Sequence, residues 1–355
     1  MPLLFSFGLL GIFPLIAKRL VDAVKKRRVY GRWKKPASFD RNLIVIGAGA
    51  AGLVSSYIAA AVKAKVTLVE GHKMGGDCLN YGCVPSKAFI RSAKLLYQMR
   101  NGQQYGLEAV EPQYSFKKVM ERVHKVIATV EPHDSVERYR GLGVDVRSGY
   151  ATLVDPWTVA IDDGKGGVER LTTRSIILAT GASPFVPSLP GIEASGYVTS
   201  DTLWEHLLGW DDVPQRVVIF GGGPIGCELA QAFARFGAQV FLVQHGDRIM
   251  VREDEDVSAL VRAVLEKSGV NVLVSHTAVR CEQDDAGRRL VVEHDGSEHG
   301  LDYDLLLCAV GRSARLSGYG LEELGIPVER TVVTNEYLET LYPNIFAAGD
   351  VAGHY

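Results

Sequence analysis

From residue 41 onward, short unbroken apolar runs end on glycines, and longer stretches with helical spacing follow them. The first such block is RNLIVIGAGAAGLVSSYIAAAVKAKVTLVE, residues 41–70. A brief apolar run bounded by turn residues reads as a buried strand. The alanine-rich stretch behind the glycines reads as a helix, and VTLVE as a second strand. The alternation recurs at residues 216–244, RVVIFGGGPIGCELAQAFARFGAQVFLVQ. Three later segments, SIILATGASP (175–184), LLLCAVGRSA (305–314) and NIFAAGDVAG (344–353), are apolar strands closing on Gly181, Gly311 and Asp350. Strand–helix–strand units of this kind predict an α/β fold with two Rossmann-like units.

The opening of the chain follows another pattern. Pro2–Ala17 is an uncharged apolar run of 16 residues, interrupted by Pro14. That is just short of the about 17–25 residues of a spanning helix. Between Lys18 and Lys35 come nine Lys and Arg against Asp22 alone. An apolar segment followed by a basic cluster is expected to be a membrane anchor (1–17) and a basic linker (18–40), with the folded part on the cytoplasmic face.

Composition narrows the picture in two ways. A net charge of −2 over 355 residues excludes bulk attraction to a polyanion, so no nucleic-acid partner is expected. Five cysteines, irregularly spaced, do not make a secreted disulfide framework. Three of them, Cys227, Cys281 and Cys308, read as structural thiols, Cys227 in the helix behind the second glycine turn and Cys308 in an apolar strand, where buried inert thiols are common. Cys78 and Cys83 differ: they lie five apart in GGDCLNYGCVPSK, residues 75–87, behind a glycine pair. No cluster with metal-ligand spacing appears.

The glycines carry the clearest chemistry. Gly47, Gly49 and Gly52 form G-x-G-x-x-G at the first strand-to-helix turn, and Gly221, Gly223 and Gly226 repeat it. The first glycine allows the tight turn and the second lets backbone approach a pyrophosphate. The third lets helix and strand pack closely, with the helix N-terminus facing the phosphates. Glu70 stands 23 residues after Gly47, placed to hold a ribose; Gln244 stands 23 after Gly221. A glutamine there neither favours a free 2′-hydroxyl nor repels a 2′-phosphate strongly. With His245, Arg248 and Arg252 close behind, NADPH is slightly preferred over NADH.

Taken together, GAGAAG, Glu70, GGDCLNYGCVPSK, ATG, GGGPIGCE, AVGR and AAGD resemble the class I pyridine nucleotide–disulfide oxidoreductases, and most of all the mercuric-reductase-like branch. The resemblance spans about Asn42–Gly353. It implies two three-layer ββα domains, with an NAD(P)-binding domain (188–313) inserted in an FAD-binding domain (41–187 and 314–355). FAD would lie on Gly47, Gly49, Gly52, Glu70, Asp77, Cys78, Lys87, Ala151, Thr180, Gly181 and Asp350. NAD(P)H would lie on Gly221, Gly223, Ile225, Gly226, Gln244, His245, Arg248 and Gly311. Cys78 and Cys83 would be a redox-active disulfide, with Cys83 beside the flavin and Cys78 exchanging with substrate. Lys87 and its carboxylate partner Glu228 would place a positive charge there.

The implied substrate is a small-molecule disulfide or a thiophilic metal ion such as mercuric ion. The resemblance also predicts a C-terminal interface domain carrying a catalytic histidine and the homodimer contact. Nothing matching that domain is present, so the chain reads as truncated. Three rivals stand beside this reading: a dihydrolipoamide dehydrogenase, a flavin NAD(P)H oxidase that leaves the cysteines idle, and a non-catalytic membrane-tethered nucleotide-binding module.

Overall fold

A computed structural model describes residues 28–285 and 287–352. The expected anchor at 1–17 and the first part of the basic linker lie outside these residues. The fold is α/β, and the chain divides into two compact units that it enters alternately. One comprises the chain up to Met74, Val136–Gly181 and the chain from Ala314 on. The other comprises Gly75–Ser135 and Ala182–Ser313. The segment 75–135, expected within the first range, therefore folds with the second.

In the first unit a parallel sheet runs Val144–Ser148, Val66–Glu70, Arg41–Ile46, Val168–Leu178, Ile345–Ala347. Ile44, Val45, Leu68, Ile176 and Leu178 have no exposed surface, as strands covered on both faces require. Val168–Leu178 belongs to two sheets. Its second half pairs in parallel with Arg41–Ile46, and its first half pairs antiparallel with Thr158–Asp162, which pairs in turn with Tyr150–Asp155. One face of the parallel sheet takes the helix Ala50–Ala61 and the other this antiparallel layer, which gives the expected ββα stack.

Residues 28–40 do not behave as a linker. Tyr30 donates its hydroxyl to Asn344 Oδ1 at 2.6 Å and stacks on Trp157 with ring centroids 4.9 Å apart. The Trp33 indole N–H donates to the Tyr342 hydroxyl at 3.1 Å. Burial pushes the Tyr30 hydroxyl up to about 12. Charge dominates this stretch in the sequence, but its aromatics decide where it goes.

The second unit has a parallel sheet ordered Val270–Leu273, Gln239–Val243, Arg216–Phe220, Leu305–Cys308, and an antiparallel meander Thr277–Asp284, Gly287–His294, Ser297–Tyr303. The 75–135 segment joins this unit through aromatic packing. Phe89, on the helix Cys83–Arg100, is fully buried among Phe116, Trp204, Phe233 and Phe236, at centroid distances of 4.9 to 6.2 Å. Phe233 lies on the helix Pro224–Arg235, so the helix that Cys83 opens is fastened to the second glycine-turn helix.

Phe89→Ala should cost about 3–5 kcal/mol, read as a lowered denaturation midpoint of this unit. Tyr105→Ala, at a side chain 67% exposed, should leave the midpoint in place. Equal midpoints for the two variants would contradict this packing.

Candidate functional site

The first glycine turn is built by close approach. Gly47 has φ +102°, and a Cβ there would fall 2.3 Å from the Ala179 carbonyl oxygen. A Cβ on Gly52 would fall 1.8 Å from the Gly47 carbonyl oxygen, so only glycine permits this helix to rest on this strand end. Gly49 is the opposite case: nothing lies within 4 Å of where its Cβ would be. It caps the helix Ala50–Ala61 in extended backbone, with no side-chain cap and no acidic residue in the first turn. Helix-start N–H groups facing open space suit a pyrophosphate.

Glu70, at the end of its strand, accepts the Ala48 N–H at 2.6 Å on one carboxylate oxygen and the His72 N–H at 2.7 Å on the other. A carboxylate has about four acceptor positions, so capacity remains for a ribose hydroxyl. Gly349 packs against Ala51, since its Cβ would stand 3.1 Å from that methyl; this brings Asp350 to the same end of the sheet as Gly49. Gly181, at φ +69°, has open space beside it. Thr180 Oγ lies 3.3 Å from the Tyr319 hydroxyl. Ala151 is 7% exposed and its methyl sits in the core, so only its backbone could face a ligand.

The second turn repeats the first. Gly221 has φ +118° and its Cβ would meet the Ala309 carbonyl oxygen at 2.4 Å. A Cβ on Gly226 would meet the Gly221 carbonyl at 1.9 Å, whereas Gly223 is open. Pro224 opens the helix behind it, again without a side-chain cap. Ile225, 39% exposed, stands at that end. Gln244 Oε1 accepts the Gly222 N–H at 2.9 Å, as Glu70 accepts that of Ala48. Its amide nitrogen lies beside Gly246, 3.1 Å from where a Cβ there would stand. His245 Nδ1 lies 2.8 Å from Thr277 Oγ1, and Arg248 donates to the carbonyls of Val251 and Glu253. Gly311, at φ +141°, is open.

The two cysteines share the second unit with this turn. Cys78 lies in the short helix Gly76–Asn80 and Cys83 opens the helix Cys83–Arg100. Gly75, at φ +84°, makes the bend before them and lies against the Leu79 side chain. The Asp77 carbonyl accepts the N–H groups of Tyr81 and Gly82, which closes the loop between the cysteines. Both are free thiols within hydrogen-bonding reach, Cys83 exposed and Cys78 half-buried. Burial and then the adjoining Cys83 thiol push Cys78 up to about 11, and the Asp134 carboxylate adds to the rise. The other three thiols are buried, and burial raises each of them, Cys227 to about 11 and Cys308 to about 12.

Lys87, one turn into the second cysteine's helix, is ion-paired with Glu228 on the helix Pro224–Arg235. One contact escaped the sequence reading. Arg312 is ion-paired with Asp77, meets Asp201 at 3.3 Å, and donates to the Ala182 carbonyl at 3.0 Å. It anchors the residue directly before Cys78. The AVGR motif marked this arginine, but its acidic partners are more than a hundred positions away in the chain.

The family model for pyridine nucleotide-disulphide oxidoreductases matches residues 41–355. A mercuric reductase from Staphylococcus aureus is 31% identical over 314 residues, covering 88% of this chain and 56% of that protein. A dihydrolipoyl dehydrogenase from Acholeplasma laidlawii is 32% identical over 323 residues, covering 90% of this chain and 92% of that one. Among solved structures, the HOCl-induced flavoprotein disulfide reductase RclA from Escherichia coli, as its Cu(II) complex, superposes with a TM-score of 0.74. It is 26% identical, and the match covers 89% of this chain and 67% of that one. The chain spans about half the length of the mercuric reductases it matches, 56% and 49%.

The raised Cys78 thiol predicts a pH profile. In the reduced protein, alkylation of Cys78 by iodoacetamide, followed by peptide mass spectrometry, should keep accelerating as pH climbs toward about 11. A plateau below pH about 8.5, the range of an unperturbed thiol, would show that the environment does not hold Cys78 protonated.

Proposed function

Because the chain belongs to the pyridine nucleotide-disulphide oxidoreductase family, we propose that it carries FAD on its first unit and NAD(P)H on its second. We further propose that it uses Cys78 and Cys83 to reduce a small-molecule disulfide or a thiophilic metal ion. The observation that carries this reading is the thiol pair itself. Cys78 and Cys83 adjoin one another at the head of a helix and reach solvent, while every other cysteine is buried.

Both glycine turns fit a dinucleotide, with open space at Gly49 and Gly223 and an uncapped helix behind each. Glu70 would hold the adenosine ribose of FAD and Asp350 its ribityl chain, with Thr180 and Gly181 alongside. Bound FAD would supply two-electron chemistry, accepting hydride from the nicotinamide and releasing an electron pair to a disulfide.

This chain's residues do the sulfur chemistry. The Cys78 thiol gives up its proton and attacks one sulfur of the substrate disulfide, forming a mixed disulfide and releasing one thiolate. Cys83 then attacks the Cys78 sulfur and releases the second substrate thiol. The substrate gains two electrons, and Cys78–Cys83 becomes the disulfide that the next reduction reopens. Cys83 opens the helix Cys83–Arg100 and is exposed. The raised Cys78 makes loss of its proton the step most sensitive to pH. A mercuric ion would be captured by the same two sulfurs, in keeping with the softness of thiolate ligands.

Gln244 supports NADPH as the electron donor. Its oxygen is engaged by Gly222, which leaves amide hydrogens to meet a ligand. Donors favour the acceptor-rich 2′-phosphate over a 2′-hydroxyl alone.

Three measurements test this reading. Anaerobic NADPH should add two alkylatable thiols per chain, and Cys78→Ser or Cys83→Ser should abolish that gain; no new thiols would refute the cysteine chemistry. Gln244→Glu should move the preference toward NADH by about tenfold, equivalent to about 1.4 kcal/mol. Gly49→Ala should fold normally yet lose FAD during purification, whereas Gly52→Ala should destabilise the first unit. Full FAD retention by Gly49→Ala would remove the pyrophosphate from that turn.

A further inference from the structure

The docked N-terminal stretch creates a feature that the redox reading does not use. Tyr30, Trp33, Lys35, Phe39, Trp157 and Arg174 line an open groove of about 570 Å³ in the first unit. Its floor is aromatic: Tyr30 lies on Trp157, and Phe39 carries the Arg174 guanidinium at 5.4 Å and the Lys35 ammonium at 5.9 Å from its ring centre. Among the described residues, no carboxylate lines it. Neither Lys35 nor Arg174 has an acidic partner within ion-pair distance among the described residues. Arg28, Arg32 and Lys34, all exposed, follow the same stretch of chain, and Arg32 sits over Trp33 at 4.7 Å.

The polar ends of the floor are already engaged. The Tyr30 hydroxyl is held by Asn344, the Trp33 indole N–H is held by Tyr342, and the Asn344 amide donates to the Pro156 carbonyl. The groove therefore offers ring faces and positive charge, with few directed hydrogen-bonding groups. A nucleotide base or a sugar would need such groups. A phosphate attached to an apolar body would not.

We propose that this groove is a docking site for the headgroup of an anionic phospholipid, with Lys35 and Arg174 meeting the phosphate and the aromatic floor lying at the lipid interface. Tryptophan, tyrosine, lysine and arginine side by side are the chemistry of a membrane–water boundary. The sequence leading into the groove has the same character, since Pro2–Ala17 is apolar and Lys18–Arg28 is rich in cations. Its lining shares no residue with the glycine turns or the cysteine pair, and the proposal does not rest on the redox reading.

Short-chain phosphatidylglycerol, below the concentration at which it forms micelles, tests the site on the full chain, with Trp33 and Trp157 emission as the signal. A saturable change is expected with phosphatidylglycerol, but not with short-chain phosphatidylcholine or inorganic phosphate. Lys35→Gln/Arg174→Gln should weaken it about thirtyfold, at about fivefold per basic residue removed. The variant's melting temperature and flavin content serve as the fold control. Should that variant not fold, Arg174→Gln at an exposed side chain carries the test, with about a fivefold loss. Equal responses to the two lipids, an undiminished response in the variants, or saturation by inorganic phosphate alone would overturn the proposal.

Discussion

Two backbone contacts set the geometry of both units. The Cα of Gly52 rests against the Gly47 carbonyl, and the Cα of Gly226 against that of Gly221, closer than any side chain would allow. Each contact seats a helix N-terminus directly at the end of a buried parallel strand. The acceptor that steadies the turn is then drawn from the next strand: Glu70 in one unit, Gln244 in the other. What remains at each turn is one glycine, Gly49 or Gly223, with empty space beside it. Close packing at one glycine and openness at another, three positions away, make a rigid strand–helix junction compatible with a bound phosphate.

The cysteine pair depends on a different kind of support. The helix that Cys83 opens is fixed by aromatic packing around Phe89, and the residue before Cys78 is held by Arg312. The Lys87–Glu228 pair is more than 45% exposed on both sides, and exposed pairs contribute only about 0–1 kcal/mol. Its place beside the proposed redox helix is therefore a matter of electrostatics more than of stability. Partial burial holds Cys78 protonated at neutral pH, while Cys83 lies at an exposed helix start. Thiols in unlike surroundings suit an exchange in which one sulfur meets the substrate and the other resolves the mixed disulfide.

The N-terminal stretch shows how charge can mislead. Its run of lysine and arginine reads as a solvated linker, yet Tyr30 and Trp33 bind it to Asn344 and Tyr342, more than three hundred positions on. Arg28, Arg32, Lys34 and Lys35 do stay exposed, and the aromatics beneath them turn a covering segment into a groove. Neither the docking nor the groove could be read from local pattern, because Trp157, Arg174 and Asn344 come from three other places in the chain.

Local constraint determined what the sequence could declare by itself. A turn that admits only glycine, a strand buried on both faces and an acid or amide at fixed spacing each leave a mark within about 25 residues, so both Rossmann-like units, Glu70, Gln244 and the cysteine pair were legible. Tertiary structure decided the rest. It placed 75–135 with the second unit through Phe89, joined Arg312 to Asp77, and raised Cys78 through burial. Those outcomes depend on which distant side chains share a core or an ion pair, and on how much water remains at a sulfur. Both are set only when the chain has closed on itself.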